Sequence, residues 1–365
     1  MPGRLEGPVG PVIRFDGREF DYFGGSGYLG LQNHPEVLRA AHESLERFGF
    51  STATSRGGLG EHPLFNELER EACAFFGAEK IIHLPSGYLG PAVLVQTSGA
   101  AYEHIFIDAD AHYSLWDAAQ SANRVITPFP HHSPERLAET LRAELRAGER
   151  PLLLSDGLFP ISGEIAPLPE YLALAREYGG LVYLDDAHAA GVLGSNGRGT
   201  AEYFGIDDPA CRSSATFAKA LGGAGGILWG SAAWIERIER ASRICAGSSP
   251  APLVSAAASA RALFLARTQP GLREQLWGNT ARIRKGLRGQ GWEVEDSPSP
   301  VICLRGGPEV SLERIRSELF RQGIAIELVR SYPSAPPGGG LRIAACAGHT
   351  IEQIERLLDA IRRAL

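Results

Sequence analysis

The amino-acid sequence predicts an α/β fold: a mostly parallel sheet of about seven strands with helices on both faces, followed by a smaller C-terminal α+β unit. The first observation is that short apolar runs alternate with helical patterns from residue 80 to residue 184, as in repeated βα units. The second is a break at Pro250-Ala251-Pro252, after which the pattern changes to a long helix and a compact tail. Because 365 residues exceed one typical core, we expect an N-terminal arm and helix at 1–45, a large domain at 46–248 and a small domain at 249–365.

The N-terminal part is predicted to form a hairpin-like arm, which is followed by amphipathic helices and the strands of the sheet. Val12-Ile13-Arg14-Phe15 suggests a small hairpin, and helices are expected from Pro35 to about Arg47 and from Pro63 to Phe76. Further helical patterns begin near residues 89 and 114 and span about 134–147 and 168–178. Apolar runs predict the strands of the sheet at 80–84, 105–107, 125–126, 152–154, 181–184, 214–217 and 227–229.

The C-terminal part begins with an Ala-, Leu- and Arg-rich helical stretch that runs towards Arg288 and is interrupted at Pro270. Its tail predicts a compact α+β unit, in the order strand 301–304, helix 311–321, strand 324–328, strand 341–345 and helix 350–363.

Composition and charge indicate an ordinary globular protein without a polyanionic partner. The net charge is -6, the pI is near 6 and basic residues are not clustered, which argues against nucleic-acid or acidic-membrane binding. The five cysteines are scattered and lack metal-binding spacing, as expected for free thiols in a reducing compartment. The N-terminus has no secretory signal pattern and no apolar run reaches membrane-spanning length, so we expect a cytoplasmic protein.

Lys219 is the first candidate for chemistry. The sequence has three lysines, Lys80, Lys219 and Lys285, among 36 lysines and arginines, so arginine serves as the general cation. Lysine is needed where an amine must lose its proton or form a Schiff base. Lys80 and Lys285 stand in ordinary surface patterns, whereas Lys219 follows a predicted strand and precedes a glycine cluster at 222–226, where a backbone can approach a ligand. A loop lysine before a flexible turn is the alternative interpretation.

Three further candidates stand just after apolar runs, where ligands bind in open α/β sheets. Ser86-Gly87-Tyr88 forms a turn into a helix and can present amides to a phosphate, although such turns are rich in Gly and Ser anyway. His112 follows the second strand, where a lone histidine is more often a hydrogen-bonded structural residue. Asp185, Asp186 and His188 follow the fifth strand, and such a group can cap a loop, hold a metal or serve a cofactor.

The lysine 34 positions after Asp185 favours the last of these interpretations. A carboxylate for a heteroaromatic ring, a lysine able to form an imine and amides for a phosphate are together what pyridoxal 5'-phosphate (PLP) requires.

The same segments resemble a known family over nearly the whole chain. The chain is similar to the PLP-dependent α-oxoamine synthases, which include 8-amino-7-oxononanoate synthase, 2-amino-3-ketobutyrate CoA ligase, 5-aminolevulinate synthase and serine palmitoyltransferase. The motifs that carry the resemblance are Tyr28-Leu29-Gly30-Leu31, Ser86-Gly87-Tyr88, Ala111-His112, Asp185-Asp186-Ala187-His188, Thr216-x-x-Lys219-Ala220-Leu221-Gly222-Gly223, Leu341-Arg342-Ile343 and His349-Thr350. The resemblance implies a fold type I PLP enzyme.

The resemblance also implies catalytic roles around the cofactor ring. Lys219 would bind the cofactor as a Schiff base, and Asp185 would pair with the pyridine nitrogen and keep it protonated. His112 would stack on the ring face, and His188 would hydrogen-bond the ring hydroxyl.

Residues farther from the ring are implied to bind its phosphate and the substrate. The turn Ser86-Gly87-Tyr88 and the hydroxyl of Thr216 would bind the phosphate, and Ser248 matches a hydroxyl that reaches the phosphate of the neighbouring subunit. Arg342 matches the arginine that binds the carboxylate of the amino acid, a bidentate task suited to guanidinium. No metal is implied.

The reaction implied is the condensation of a small amino acid with an acyl-CoA. The amino acid displaces Lys219, the freed amine removes the Cα proton, and the carbanion attacks the acyl thioester and releases CoA. In most of the family decarboxylation follows, and the active sites lie between the subunits of a homodimer. An aminotransferase acting on an oxo acid with the same cofactor and fold is the alternative, and a non-catalytic binding protein is a more remote one.

Three positions depart from the family pattern. Pro160 stands where members carry a serine near the ring, and Phe65 stands where they carry a histidine. The asparagine usually found before the motif at Tyr28 is absent, with Gly27 in its place. These departures bear on the choice of substrates, whereas the residues expected to bind the cofactor are all present.

Overall fold

The computed structural model of the protein describes residues 3–307 and 310–365. Its N-terminal arm is a hairpin of β1 (Val12–Phe15) and β2 (Arg18–Tyr22). The turn between them is Asp16-Gly17, and both residues have positive φ, 47° and 73°. Two such residues form the turn that matches the natural twist of a hairpin. The expected hairpin is confirmed.

Two helices follow the arm and begin in the same way. They are α1 (Pro35–Phe48) and α2 (Pro63–Phe76), with a short 3₁₀ turn at Leu31–Asn33 before α1. Each has proline in its first turn, and the histidine before it, His34 or His62, accepts a hydrogen bond from a backbone N–H of that turn. Both helices pack against a later helix of the C-terminal part, so the arm and the tail share one core.

The central sheet has seven strands, in agreement with the prediction. Its spatial order is β3-β9-β8-β7-β6-β4-β5. Strand β9 runs antiparallel to both of its neighbours, and the other neighbouring pairs are parallel. In chain order the elements are β3 (Lys80–Leu84), α3 (Leu89–Thr97), β4 (His104–Asp108), α4 (Tyr113–Ser121), β5 (Val125–Phe129), α5 (Pro134–Glu144), β6 (Pro151–Asp156), α6 (Leu168–Glu177), β7 (Leu181–Asp185), α7 (Thr200–Tyr203), β8 (Cys211–Thr216) and β9 (Gly226–Gly230).

The carboxyl ends of the parallel strands bring polar residues to one edge of the sheet. Asp108, Asp156, Asp185 and Thr216 are the last residues of β4, β6, β7 and β8. Strands β4, β6 and β7 are buried along nearly their whole length, because helices cover both faces of the sheet. The fold therefore places three carboxyl groups side by side at the edge where a ligand is expected.

The C-terminal part is built from helices and a small antiparallel sheet of order β10-β13-β12. The predicted interruption at Pro270 is confirmed as the boundary between two helices. Strand β11 pairs instead with β2 of the arm. The elements are α8 (Ala232–Ala241), α9 (Arg243–Gly247), α10 (Leu253–Thr268), α11 (Gly271–Arg288), β10 (Val301–Arg305), α12 (Leu312–Arg321), β11 (Ile324–Ala325), β12 (Glu327–Val329), β13 (Gly340–Ala344) and α13 (Ile351–Ala364).

The division into parts at 1–45, 46–248 and 249–365 stays a prediction. Within the described ranges, none of the helices is long and apolar enough to cross a membrane.

Candidate active site

Lys219 lies in the loop between β8 and β9, at the carboxyl edge of the sheet. Burial lowers the pKa of its amine, while the nearby carboxylates of Asp185 and Asp156 act in the opposite direction and Arg342 adds to the lowering. An amine with a lowered pKa is deprotonated more readily, which is the form needed for Schiff-base formation.

Asp185 presents a buried, oriented carboxylate to the same space. It is 5% exposed, and its Oδ1 accepts a hydrogen bond of 2.9 Å from the N–H of Ala187. Its Oδ2 accepts a second bond of 3.2 Å from the hydroxyl of Ser114. Two donors from different elements hold the carboxylate in one orientation, as expected for a group that must meet a fixed cation.

Asp156 stands directly beside Asp185, because the two residues are register partners on β6 and β7. Its Oδ2 accepts a hydrogen bond of 2.7 Å from the backbone N–H of His112. Burial and the neighbouring charge of Asp185 raise the pKa of Asp156 well above its usual range. Two adjacent carboxyl groups of this kind favour a cationic ligand at the edge of the sheet.

His112 caps the N-terminus of α4 and is fixed by Ser114. Its Nδ1 lies 2.8 Å from the Ser114 hydroxyl and also accepts a hydrogen bond of 3.2 Å from the Ser114 N–H. Burial lowers the pKa of His112; the charge of Asp185 opposes this and the charge of Lys219 adds to it. A neutral imidazole whose position is set by its own helix suits a flat ring that stacks on another ring.

His188 is held by a phenol that sequence reasoning did not assign to the site. Its Nδ1 lies 2.7 Å from the hydroxyl oxygen of Tyr28, and both side chains are buried. Burial raises the pKa of Tyr28 to about 12 and, together with the charges of Lys219 and Arg342, lowers the pKa of His188 well below its usual value. The protonated phenol can donate to Nδ1, which leaves the proton of the neutral imidazole on Nε2 as a donor for a ligand.

Arg342, on β13, completes this side of the site. Its guanidinium is buried, and Nη2 donates a bond of 3.4 Å to the hydroxyl of Tyr28. Nε donates to the carbonyl of Pro160 at 2.7 Å, and Nη1 donates to the carbonyl of Gly25 at 3.0 Å and lies 3.3 Å from Glu327. The arginine is thus fixed in position by backbone carbonyls, on the same side as His188.

The turn Ser86-Gly87-Tyr88 lies before α3 and against the end of β8. An added Cβ on Gly87 would lie 2.6 Å from the Cβ of Thr216, so a side chain does not fit there. The N–H of Tyr88 reaches the Ser86 hydroxyl at 3.3 Å. The Thr216 hydroxyl donates to the carbonyl of Gly225 at 2.8 Å and accepts from the N–H of Ala218 at 3.1 Å. The arrangement is a bare-backbone cradle at a helix N-terminus, which suits a phosphate.

Replacing Gly87 with alanine tests this cradle. We expect Gly87→Ala to weaken PLP binding about tenfold, because an overpacked contact with Thr216 costs about 1–3 kcal/mol and moves the turn. The affinity is measured by titrating the apoenzyme with PLP and following the visible absorbance. Gly278→Ala is the matched control, since an added Cβ on Gly278 of α11 meets no atom within 4 Å. Equal affinities for PLP in the two variants would contradict the cradle.

Asp186 has a structural role, unlike its neighbour Asp185. It is fully buried, and its carboxylate accepts hydrogen bonds from the hydroxyl of Thr200 at 2.6 Å and from its N–H at 3.2 Å. Burial raises the pKa of Asp186 to about 6, against the effect of these bonds. Over the part of the chain that is described, groups of three or more His, Cys, Asp or Glu side chains suited to a metal are absent. The hydrogen bonds to Thr200 support the loop-cap interpretation for Asp186.

Two positions noted in the sequence, Ser248 and Phe65, are not part of this hydrogen-bonded cluster, and a third residue, Tyr332, borders it. Ser248 directly follows the last residue of α9, and its contact with the phosphate of a neighbouring subunit stays a prediction. Phe65 is buried in the core that α2 forms, with its ring edge-on to His62. Tyr332, on the Gly- and Pro-rich connection between β12 and β13, places its ring centre 6.1 Å from that of His112 and thereby borders the site.

The donor set as a whole fits PLP. The structure gathers a lysine of lowered pKa, an oriented buried carboxylate, a neutral ring at a helix cap and a backbone cradle for phosphate at one edge of the sheet. The structure brings together the predicted residues Lys219, Asp185, His112, His188 and Arg342. Their individual roles stay predictions. Fold and site together define a PLP-dependent enzyme of fold type I.

Comparison with known proteins agrees with this class. The family model for aminotransferase class I and II matches residues 23–361. The 8-amino-7-oxononanoate synthase of Thioalkalivibrio sulfidiphilus is 31% identical over 99% of the chain and 92% of its own length, and that of Trichlorobacter lovleyi is 32% identical over 97% and 90%. The chain belongs to the α-oxoamine synthases within the aminotransferase class I and II family.

Solved structures show the same relationship. Serine palmitoyltransferase from S. paucimobilis, which contains bound PLP, has a TM-score of 0.90 at 28% identity and covers 99% of this chain and 92% of its own. Sphingomonas wittichii serine palmitoyltransferase has a TM-score of 0.90 at 27% identity, with coverages of 100% and 92%. The protein is therefore an enzyme that uses PLP, as the sequence predicted.

Proposed function

We propose that the enzyme condenses a small amino acid with an acyl-CoA thioester to form an α-oxoamine. The observation that carries the proposal is the buried guanidinium of Arg342, which is fixed beside Tyr28 and His188 and close enough to influence the pKa of Lys219. A fixed cation near the reactive amine suits a substrate that carries a carboxylate next to its amino group. Relatives named 8-amino-7-oxononanoate synthase and serine palmitoyltransferase support this chemistry.

Each residue of the site has a task in this reaction. When bound, PLP supplies an electron sink for the negative charge that develops at the amino-acid Cα. Lys219 would hold the cofactor until the amino group of the substrate replaces it there, and its freed Nζ would then accept the Cα proton, a role that the lowered pKa of the amine favours by keeping it unprotonated. Asp185 holds the proton of the ring nitrogen through a charge-assisted hydrogen bond. Arg342 binds the substrate carboxylate and so orients the Cα–H bond towards Lys219.

The surface supports a homodimer with active sites at the subunit interface. Leu59 is 96% exposed and Phe50 is 62% exposed, and both lie in the loop between α1 and α2. Leu38 and Leu45 add exposed apolar surface on α1 itself. Several large exposed apolar side chains on one helix and the loop after it are typical of a protein interface, and a second copy of the chain would cover them and bring Ser248 to the neighbouring phosphate. We further propose that the enzyme acts in the cytoplasm.

A two-substrate assay tests the function. The holoenzyme is mixed with glycine, L-alanine or L-serine and with acyl-CoA thioesters of increasing chain length, and free CoA is measured with a thiol reagent while the product is identified by mass. We expect CoA release that depends on one amino acid and one acyl-CoA together. If instead one amino acid converts the cofactor to pyridoxamine phosphate without releasing CoA, the protein is an aminotransferase and the proposal is wrong.

A further inference from the structure

A half-buried ionic link joins the end of β4 to the hairpin that follows β6. His131, in the loop after β5, places Nδ1 2.9 Å from Oδ1 of Asp108 and Nε2 3.1 Å from Oε2 of Glu164. Asp108 is fully buried, and its carboxylate also accepts the N–H groups of Asp110 and His132 at 2.9 and 3.2 Å. The imidazole thus bridges a rigid strand end and a loop that belongs to a different part of the chain.

The charges of this link are complementary. Burial alone would lower the pKa of His131, but its bonds to Asp108 and Glu164 raise it to about 10. The bond to His131 lowers the pKa of Glu164 to about 2, against the effect of burial. At neutral pH the link is an imidazolium between two carboxylates, a strong and directional arrangement.

The hairpin held by His131 is the one that holds Arg342. The N–H of Phe159 donates to the carbonyl of Glu164 at 2.9 Å, which closes the hairpin around Pro160. The ring of His131 packs edge-on against Phe159, with 4.4 Å between the ring centres. The carbonyl of Pro160 accepts the 2.7 Å hydrogen bond from Nε of Arg342. His131 therefore contacts both strands of the turn whose tip fixes the guanidinium.

We propose that His131 is a positioning residue for Arg342, acting through Glu164 and the turn at Pro160. This inference rests on the proposed function, in which Arg342 binds the carboxylate of the amino acid. Loss of the imidazolium leaves two uncompensated carboxylates and frees the turn, so the Nε contact of Arg342 loosens and the guanidinium is no longer held for its substrate. We therefore expect the enzyme to bind the carboxylate of the amino acid more weakly, while the proton transfer at Lys219 is retained.

The test compares L-alanine with L-alaninamide, which lacks the carboxylate, as ligands of the holoenzyme. Dissociation constants are read from the change in visible absorbance. We expect His131→Gln and Glu164→Gln each to reduce the preference for alanine over alaninamide about tenfold. In turnover the same variants raise KM for the amino acid, with kcat at saturation and KM for the acyl-CoA changed by less than about threefold. In the double variant the preference for alanine over alaninamide is expected to fall no further than in either single variant, because the two side chains act as a unit.

Two controls separate the possible outcomes. His132→Gln alters the adjacent histidine, whose Nε2 lies 2.9 Å from the carbonyl of Ile165 in the same hairpin, and should leave the preference unchanged. Arg342→Lys should abolish the preference. If Arg342→Lys abolishes it while His131→Gln and Glu164→Gln both retain it, the positioning role is wrong and the proposed function stands. If Arg342→Lys also retains it, the carboxylate-binding role in the proposed function is wrong.

Discussion

Lys219→Ala is expected to abolish turnover, with kcat reduced at least ~10³-fold, because the substitution removes both the Schiff-base amine and the base that accepts the Cα proton. The variant should still bind PLP, since the cradle at Gly87 and the carboxylate of Asp185 do not depend on the amine. The measurement combines the turnover assay with borohydride reduction and peptide mass mapping. In the wild type the reduced cofactor should be found on Lys219, and the variant should carry none.

Lys285→Ala is the matched control for this prediction. Lys285 is exposed in the last turns of α11, so the variant should keep both turnover and the cofactor-bearing peptide. A Lys219→Ala enzyme that retains a tenth of the wild-type turnover, or a cofactor found on Lys80, would show that another amine does the chemistry.

The strands of the large sheet could be predicted from the sequence because each one is indicated by a local pattern of residues. An apolar run bounded by helical patterns identifies each strand, and the predicted bounds of β3 and α2 are those of the structure. The arm was accessible for the same reason. Pro270 separated α10 from α11 because proline cannot continue a helix.

The elements that were missed depend on partners distant in the chain. The predicted strand 324–328 is two strands, since β11 pairs with the arm and β12 pairs with β13 in another sheet. The chain passes from one sheet to the other at Ile326, and the local pattern of alternating residues does not indicate this change. Helix α8 was not predicted, although its buried residues Ile235 and Ile238 stand three positions apart among charged ones, which is the pattern of a short amphipathic helix. The predicted helix 134–147 also ends earlier, at Glu144.

The site divides in a similar way. Lys219, Asp185 and His188 stand in sequence motifs and were found by reasoning about strand ends. Ser114 and Tyr28 were not assigned, although their hydroxyls bond Asp185 and His188, because these contacts span 71 and 160 positions of the chain. The sequence around a serine or tyrosine does not show which distant residue its hydroxyl contacts in the folded protein. Similarly, the sequence indicated that Pro160 replaces a serine near the cofactor ring. In the structure the backbone carbonyl of Pro160 accepts a hydrogen bond from Arg342, and any residue type could supply that carbonyl.

Asp185→Asn is expected to reduce kcat about 10²-fold or more, because it removes the negative charge that keeps the ring nitrogen of the cofactor protonated. The substituted amide keeps the size of the carboxylate. Its oxygen can accept the Ala187 N–H while its NH2 group donates to the hydroxyl oxygen of Ser114, so the fold should tolerate the change. The expected result is an enzyme that binds PLP and the amino acid but exchanges the Cα proton slowly. The measurement is the rate of deuterium incorporation at Cα in D₂O, compared with turnover.

Asp156→Asn is the decisive comparison, because Asp156 and Asp185 are register partners on adjacent strands and only Asp185 is proposed to pair with the ring nitrogen. Burial and the charge of Asp185 raise the pKa of Asp156 well above its usual range, which favours the neutral form of this carboxyl group. An amide in its place resembles that neutral form and can accept the N–H of His112, as the carboxyl oxygen does. We therefore expect less than about a tenfold loss of kcat in Asp156→Asn. If the losses in the two variants are reversed, Asp156 is the partner of the ring nitrogen and the role proposed for Asp185 is wrong.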